Sequence, residues 1–253
     1  MRVSFQVFHL PKSGNSDDEY EDAFWPLETF EGQEREEFCC AVADGATETS
    51  FAGYWANLLV QEICEYPDPS EFVARLPDLQ RKWCEVIGAR LLPWYAEQKA
   101  HSGAFAAVLG VEVFAFSGAD QPCFGWRAFA VGDACLIQMR GTDLIEAFPL
   151  KSPLDFSNHP YLVCSRPDQD SLEGFLQSTS GDGCPGDALY LMTDAMACWF
   201  LAELDRGGYD LRNITSQPKF ERLIRGERLE RNDEGQPRMR NDDMTLIRIE
   251  VTP

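Results

Sequence analysis

Three apolar runs in this sequence each carry a bare aspartate at one tip, and that arrangement narrows the folds open to the chain. Phe38 to Ala43 runs into Asp44-Gly45, Ala188 to Thr193 runs into Asp194, and Asp242-Asp243 opens Met244 to Val251. Such runs predict strands covered on both faces. In an antiparallel sheet the end of one strand lies beside the start of its neighbour, so two tail-end aspartates and one head-end aspartate can share a single edge. Carboxylates gathered on an apolar scaffold repel one another and lose hydration, which a hard divalent cation relieves. Oxygen-only ligation suits magnesium or manganese. The residues therefore predict a metal site at a sheet edge.

The rest of the pattern alternates strands and helices. Arg2 to His9 places Val3, Phe5 and Val7 on one face of a strand. After Asp44 a loop through Gly45, Ala46, Thr47, Glu48, Thr49 and Ser50 offers capping residues, and Phe51, Trp55, Leu58, Leu59 and Ile63 then recur at helical spacing. A longer helix is predicted from Ser70 to Gln98, ended or kinked by Pro93. Four strand-like segments follow: Ala104 to Phe116, Phe124 to Val131, Ala134 to Met139 and Leu144 to Phe148, with turns at Gly118, Gly132-Asp133 and Arg140 to Asp143. Lys151 to Gly186, apart from a short strand over Tyr161 to Cys164, and Gly207 to Asn241, apart from a helix over Pro218 to Arg225, read as surface excursions. Antiparallel strands covered on both faces, with helices between them, predict an α+β fold of two packed sheets with helical layers outside.

Composition excludes some partners. The chain has 253 residues, 44% of them apolar, enough for one domain spanning residues 1–253. Its 22 basic and 42 acidic residues give a formal charge of -20, which repels nucleic acid and anionic membranes. Nine cysteines, none in a C-x-x-C pair and several in strand-like runs, are expected to be reduced, which predicts a cytoplasmic location. No segment shows a signal-peptide core or a membrane-length apolar run.

Six short pieces carry a family resemblance: Glu21-Asp22-Ala23-Phe24, Val42-Ala43-Asp44-Gly45, the small-residue strand opening at Gly103, Ala130-Val131-Gly132-Asp133, Met192-Thr193-Asp194 and Asp242-Asp243-Met244-Thr245. In order and approximate spacing they resemble the metal-dependent protein phosphatases called PP2C-type, over nearly the whole chain. The resemblance implies a four-layer α-β-β-α sandwich, two manganese or magnesium ions at one edge of the sheets, and hydrolysis of phosphoserine or phosphothreonine in a phosphoprotein. A serine/threonine kinase is then a natural partner, and the protein is expected to be a monomer. Carried over, Asp44 bridges both ions, the Gly45 carbonyl and Glu21 hold the second, Asp194 and Asp242 complete the first, and Asp22 orients a metal-bound water. Two ions roughly 3.5–4 Å apart would generate hydroxide near neutral pH and offset phosphoryl charge, with no side-chain nucleophile. The chain shows neither a G-x-S-x-G elbow nor a C-x5-R phosphate loop, in keeping with that chemistry.

The departures from the family pattern are specific. Ala46 stands where a histidine, considered as the leaving-group acid, often follows the Asp-Gly pair. Asp17 and Asp18 stand where an arginine often precedes the Glu-Asp pair to hold the substrate phosphate. Lys12 is the nearest upstream cation and becomes the candidate for phosphate capture, with Arg35, Arg127 and Arg166 next. Cys198 occupies the position that often carries a third-metal aspartate, so two ions rather than three are expected, with Asp133 as a weak third-site ligand. Asp243 replaces the usual asparagine after the last ligand and adds charge beside the cluster.

Plainer readings stand beside these. Asp44-Gly45 could be only a turn, Asp194 only a cap for a helix over Ala195 to Leu204, Asp242-Asp243 a solvated strand edge, and Glu21-Asp22 part of an exposed acidic loop. His9, His101 and His159 are expected in structural or surface roles, and the six tryptophans in the core. At the level of function, the alternative to an enzyme is a catalytically silent, phosphatase-like module that binds a phosphoprotein or regulates a kinase.

Overall fold

Side-chain alternation sets the layers. The computed structural model describes residues 1–46, 51–91, 97, 100–116, 124–157, 159–167, 172–232 and 235–252. Within it the first strand, β1 (Arg2–Leu10), sends Val3 and Phe5 into one apolar cluster and Phe8 and Leu10 into another. A strand that buries both faces must be an inner layer. The remaining strands are β2 (Ala23–Trp25), β3 (Phe30–Glu34), β4 (Glu37–Gly45), β5 (Phe105–Ala115), β6 (Phe124–Val131), β7 (Cys135–Arg140), β8 (Asp143–Phe148), β9 (Val163–Cys164), β10 (Gln177–Gly183), β11 (Asp187–Met192) and β12 (Met244–Thr252). One sheet has the order β3-β1-β12-β11-β7-β8; the other has β10-β6-β5-β4-β2, with β9 pairing on β5. Every ladder is antiparallel.

The two sheets face each other across a layer built from Val3, Phe5, Leu189, Leu191, Ile247 and Ile249 on one side and Phe38, Val42, Leu109, Val111 and Trp126 on the other. Burying each of these large side chains contributes about 1.5–3 kcal/mol, which fixes the face-to-face packing. Helices α1 (Ala52–Glu65) and α2 (Pro69–Gly88) cover the outer face of the second sheet through Trp55, Leu59, Ile63, Phe72 and Trp83. Helices α3 (Asp194–Asp205) and α4 (Gln217–Leu229) cover the first through Met196, Phe200, Phe220 and Ile224. The result is the expected four-layer α-β-β-α sandwich. Small residues set the approach of α1: a Cβ on Gly110 would lie 2.4 Å from Ile63 Cγ2, so only glycine lets helix and sheet close there.

Several expectations change in detail. The predicted helix from Ser70 to Gln98 ends at Gly88, ahead of Pro93; residues 92–96, 98 and 99, like the turn at Gly118 and most of the loop after Ala46, lie outside the described residues. The polar stretch Gln177–Gly183, read as a surface excursion, is the edge strand β10. Its register on β6 supplies main-chain hydrogen bonds that its sequence does not advertise. A buried amide also ties the sheets together: Gln138 on β7 accepts from the Trp126 indole at 3.0 Å and donates to the Asp182 carbonyl and the Asp187 carboxylate, each at 2.9 Å. Among the described residues no helix is long and apolar enough to cross a membrane, and Cys39, Cys40, Cys64, Cys84, Cys135 and Cys198 are free thiols.

Candidate metal centre

The ends of four segments converge at one edge of the sandwich. Asp44 and Gly45 close β4, Asp133 sits on the turn between β6 and β7, Asp194 opens α3, and Asp242 lies two residues ahead of β12. All five residues line a cleft of about 680 Å3, together with Lys12, Arg240 and His159. The strand-tip geometry holds in modified form. Asp194 and Asp242 meet because β11 and β12 are antiparallel neighbours, whereas Asp44 reaches them from the opposite sheet. The shared edge therefore belongs to the sandwich rather than to one sheet.

The Glu21-Asp22 pair is brought in by backbone contacts. A Cβ on Gly45 would lie 2.5 Å from the Glu21 carbonyl oxygen, so glycine is required for the two segments to touch. Asp243 then fixes the approach: its Oδ2 accepts the Glu21 N–H and its Oδ1 the Lys12 N–H, both at 2.7 Å. The neighbouring Asn241 accepts the Ser13 N–H at 2.7 Å, and the Arg228 guanidinium donates to the carbonyls of Pro11 and Asp242. The loop from Pro11 to Glu21 is thus stitched to the segment that carries Asp242. Asp243, read from sequence as an extra charge beside the cluster, uses both oxygens to position it.

Asp22 is 2% exposed and turns inward. Its Oδ2 accepts from the Thr245 hydroxyl at 2.6 Å, Thr245 also bonds the Tyr20 hydroxyl, and the Thr245 N–H donates to Thr193 Oγ1 at 3.0 Å. Burial pushes the Asp22 carboxyl well above the usual carboxylate range, against the Thr245 hydrogen bond and with Asp243 adding to the rise. Burial does the same to Asp44, reinforced by Asp22, Asp133 and Asp242 and opposed by Arg240. Asp133 is raised by burial too, and Arg240 again opposes. These are signs of negative charge held without enough compensation.

Asp194 has two partners: its Oδ1 accepts the Ala195 N–H, and its Oδ2 accepts from the Arg240 guanidinium. At the first position of α3 a carboxylate also meets the positive end of the helix. The helix cap is Thr193 rather than Asp194. Among the described residues no three His, Cys, Asp or Glu side chains stand close enough to hold one ion between them. The donor set itself, carboxylates and a glycine carbonyl on a partly desolvated wall, fits magnesium or manganese and not a soft metal.

The structure brings Asp44, Gly45, Asp194, Asp242 and Lys12 into one cleft, with Glu21 and Asp22 held against it. Of the other cations considered, Arg35 packs over Phe30 and Phe38, Arg127 pairs with Glu112, and Arg166 donates to the Ala100 carbonyl. None of the three lines the cleft. Thr47 and Glu48 lie outside the described residues. Cys198, one turn along α3 from Asp194, donates its thiol toward the Pro153 carbonyl, and the charge of Asp133 adds to the rise that burial imposes on it. Sequence reasoning missed Arg240, Arg228 and the Tyr20–Thr245–Thr193 network. Only the placement of Arg240 two residues ahead of Asp242 could have signalled it.

No family model matches the sequence and no curated protein does. Solved structures do match. The Mycobacterium tuberculosis serine/threonine phosphatase PstP/Ppp superposes with a TM-score of 0.58 at 13% identity, covering 100% of both chains. The S. agalactiae serine/threonine phosphatase gives 0.56 at 13% identity over 99% of this chain and 100% of its own. The catalytic domain of PstP in complex with two manganese ions gives 0.52 at 14% identity, again over 99% and 100%. The shared architecture is that of the PP2C-type phosphatases.

Proposed function

We propose that this chain, which has the PP2C-type phosphatase fold, is a metal-dependent phosphatase acting on phosphoserine and phosphothreonine in proteins, as a cytoplasmic monomer opposing a kinase. The observation that carries the reading is the convergence of the Asp44, Asp133, Asp194 and Asp242 carboxylates and Gly45 on one cleft. Asp44, Gly45, Asp194, Asp242 and Glu21 are the residues that would hold two manganese or magnesium ions. A structure of the same fold, the PstP catalytic domain, contains two manganese ions. Bound here, such ions would supply charge stabilisation for the phosphoryl oxygens and a water acidic enough to attack.

The chain's own residues supply the rest. Asp22, anchored by Thr245, holds a fixed acceptor beside Asp44 and orients water. Asp243 fixes Glu21 and Lys12 relative to Asp242. Lys12 offers a local cation to a phosphate dianion approaching a protein of charge -20. The silent-module alternative draws on the engagement of Asp194 by Arg240. A manganese-dependent assay on a phosphothreonine peptide, run beside a generic aryl phosphate and an Asp44→Asn blank, separates the two. Turnover of the peptide that vanishes with the metal or with Asp44→Asn supports the enzyme; no turnover at any metal concentration supports the binding module.

A further inference from the structure

Arg240 is a cation set among acids. It lies in the segment joining α4 to β12, its guanidinium donates to Asp194 Oδ2, and it lines the same cleft as Lys12. The Asp194 side chain is 14% exposed and that of Arg240 is 48% exposed, so one end of the pair is fixed in the wall while the other faces the opening. An arginine keeps its charge at any accessible pH. A carboxylate oxygen that accepts from it cannot at the same time serve a divalent cation without bringing two like charges together. Metal at Asp194 and Arg240 on its Oδ2 therefore oppose each other.

Where the guanidinium goes is limited by its tether. The Cα of residue 240 is two residues from Asp242, so the displaced group stays at the mouth of the cleft. Two divalent ions would offset the four carboxylates that line it, Asp44, Asp133, Asp194 and Asp242, so the roughly -1.5 to -2 charge of a phosphate falls to the cations of the lining, Lys12 and the displaced Arg240. The planar fork of an arginine matches two phosphate oxygens at once. We infer that Arg240 binds the phosphate in this cleft beside Lys12, held on Asp194 until a divalent cation takes that carboxylate. The inference rests on the phosphatase reading. It assigns the phosphate contact to a residue from the far end of the chain, since Asp17 and Asp18 stand just ahead of Glu21-Asp22.

Manganese titration calorimetry on the full chain, with Arg240→Ala and Arg240→Lys, tests it. Removing a competing cation should tighten manganese binding in Arg240→Ala by roughly threefold to thirtyfold, with Arg240→Lys between that and the parent. Inorganic phosphate titrated into the manganese-loaded proteins should bind Arg240→Ala at least about fivefold more weakly, and KM for a phosphothreonine peptide should rise by a similar factor with a smaller change in kcat. A merely structural arginine would lower the melting temperature without tightening the metal. Manganese affinity that is unchanged or weaker in Arg240→Ala overturns the competition. Tighter manganese with unaltered phosphate affinity and KM overturns the phosphate role of Arg240 and leaves it to Lys12 alone. If neither the parent nor Arg240→Ala takes up manganese, it is the phosphatase reading itself that fails, and this inference with it.

Discussion

Asp243 accepts the backbone N–H of Glu21 at 2.7 Å, and its second oxygen accepts that of Lys12 at the same distance. One carboxylate, 6% exposed, thereby sets where a candidate metal ligand and a candidate phosphate-binding residue lie relative to Asp242. Around metal sites, changing such outer partners typically costs about tenfold to a hundredfold in metal affinity.

Asparagine at this position has one acceptor oxygen and one NH2 group, so it can satisfy only one of the two N–H donors and points a donor at the other. We expect Asp243→Asn to cost about 1–3 kcal/mol of stability and to weaken manganese binding roughly tenfold or more. Calorimetric metal titration and thermal melting measure both. An Asp243→Asn protein with undiminished metal affinity would show that the clamp does not position the site.

The candidate ligands Asp44 and Asp194 should separate by what surrounds them without metal. On the proposed two-metal reading, Asp44→Asn and Asp194→Asn are each expected to lower phosphatase turnover by at least about a hundredfold, since each removes a charge that would hold the ions. Their metal-free melting temperatures should move in opposite directions. Asp44 is raised by burial and by Asp22, Asp133 and Asp242, so neutralising it relieves repulsion and raises the melting temperature. Asp194 is paired with Arg240, so Asp194→Asn removes an attraction and lowers it. Substantial activity in either purified variant would sink the two-metal assignment.

Lys12 lines the cleft and its backbone is pinned by Asp243. A flexible point charge there aids capture more than the chemical step, so Lys12→Ala should raise KM for a phosphopeptide roughly fivefold to fiftyfold with a smaller loss in kcat. The difference from the parent should shrink as salt is added, because the interaction is screened within about 10 Å at 0.1 M ionic strength. KM that does not move across a salt series would assign capture elsewhere, with Arg240 the next residue to test.

The layers were legible because burial on both faces writes itself into the sequence. Phe38 to Ala43 and Ala188 to Met192 are apolar at nearly every position, and both are inner strands. β10 was not legible: Gln177 to Gly183 is polar and glycine-rich, and only its pairing with β6 makes it a strand. The carboxylates at strand tips were readable for the same reason as the strands, since a charge ending an apolar run is conspicuous. That Asp44 arrives from the opposite sheet was not readable, because pairing between sheets leaves no periodic mark. Arg240 was hidden for a different reason. An arginine in a charged stretch is ordinary in sequence, and it becomes informative only when folding sets it on Asp194. Gln138 and Thr245 were hidden likewise, as single polar residues inside apolar strands whose partners lie far along the chain.

The raised carboxyls give the metal-free protein a characteristic pH dependence. An unfolded aspartate titrates near about 3.9. Below that value Asp22 and Asp44 hold their protons in both states, and the folded protein incurs no penalty from them. As pH rises, the unfolded chain releases those protons while the folded protein retains them, because burial pushes both groups up. Stability from these groups is therefore fully present below the unfolded value and is lost as pH climbs through the folded ones. Asp187 acts in the opposite sense. Burial pushes its carboxyl up, but Arg140, the Cys184 N–H and Gln138 outweigh that and hold it below the ordinary value, so its contribution is lost in stronger acid. With chelator present, the melting temperature should rise from pH 8 toward about pH 5 and fall again below about pH 4. Asp22→Asn keeps an acceptor for the Thr245 hydroxyl but removes the titrating charge. It should raise the melting temperature by several degrees at pH 8, at about 2–4 °C per kcal/mol for a chain of this length, and leave it nearly unchanged at pH 4.5. Differential scanning calorimetry across this range decides the matter: an Asp22→Asn protein less stable than the parent by the same amount at every pH would mean that Asp22 is an ordinary ionised hydrogen-bond acceptor.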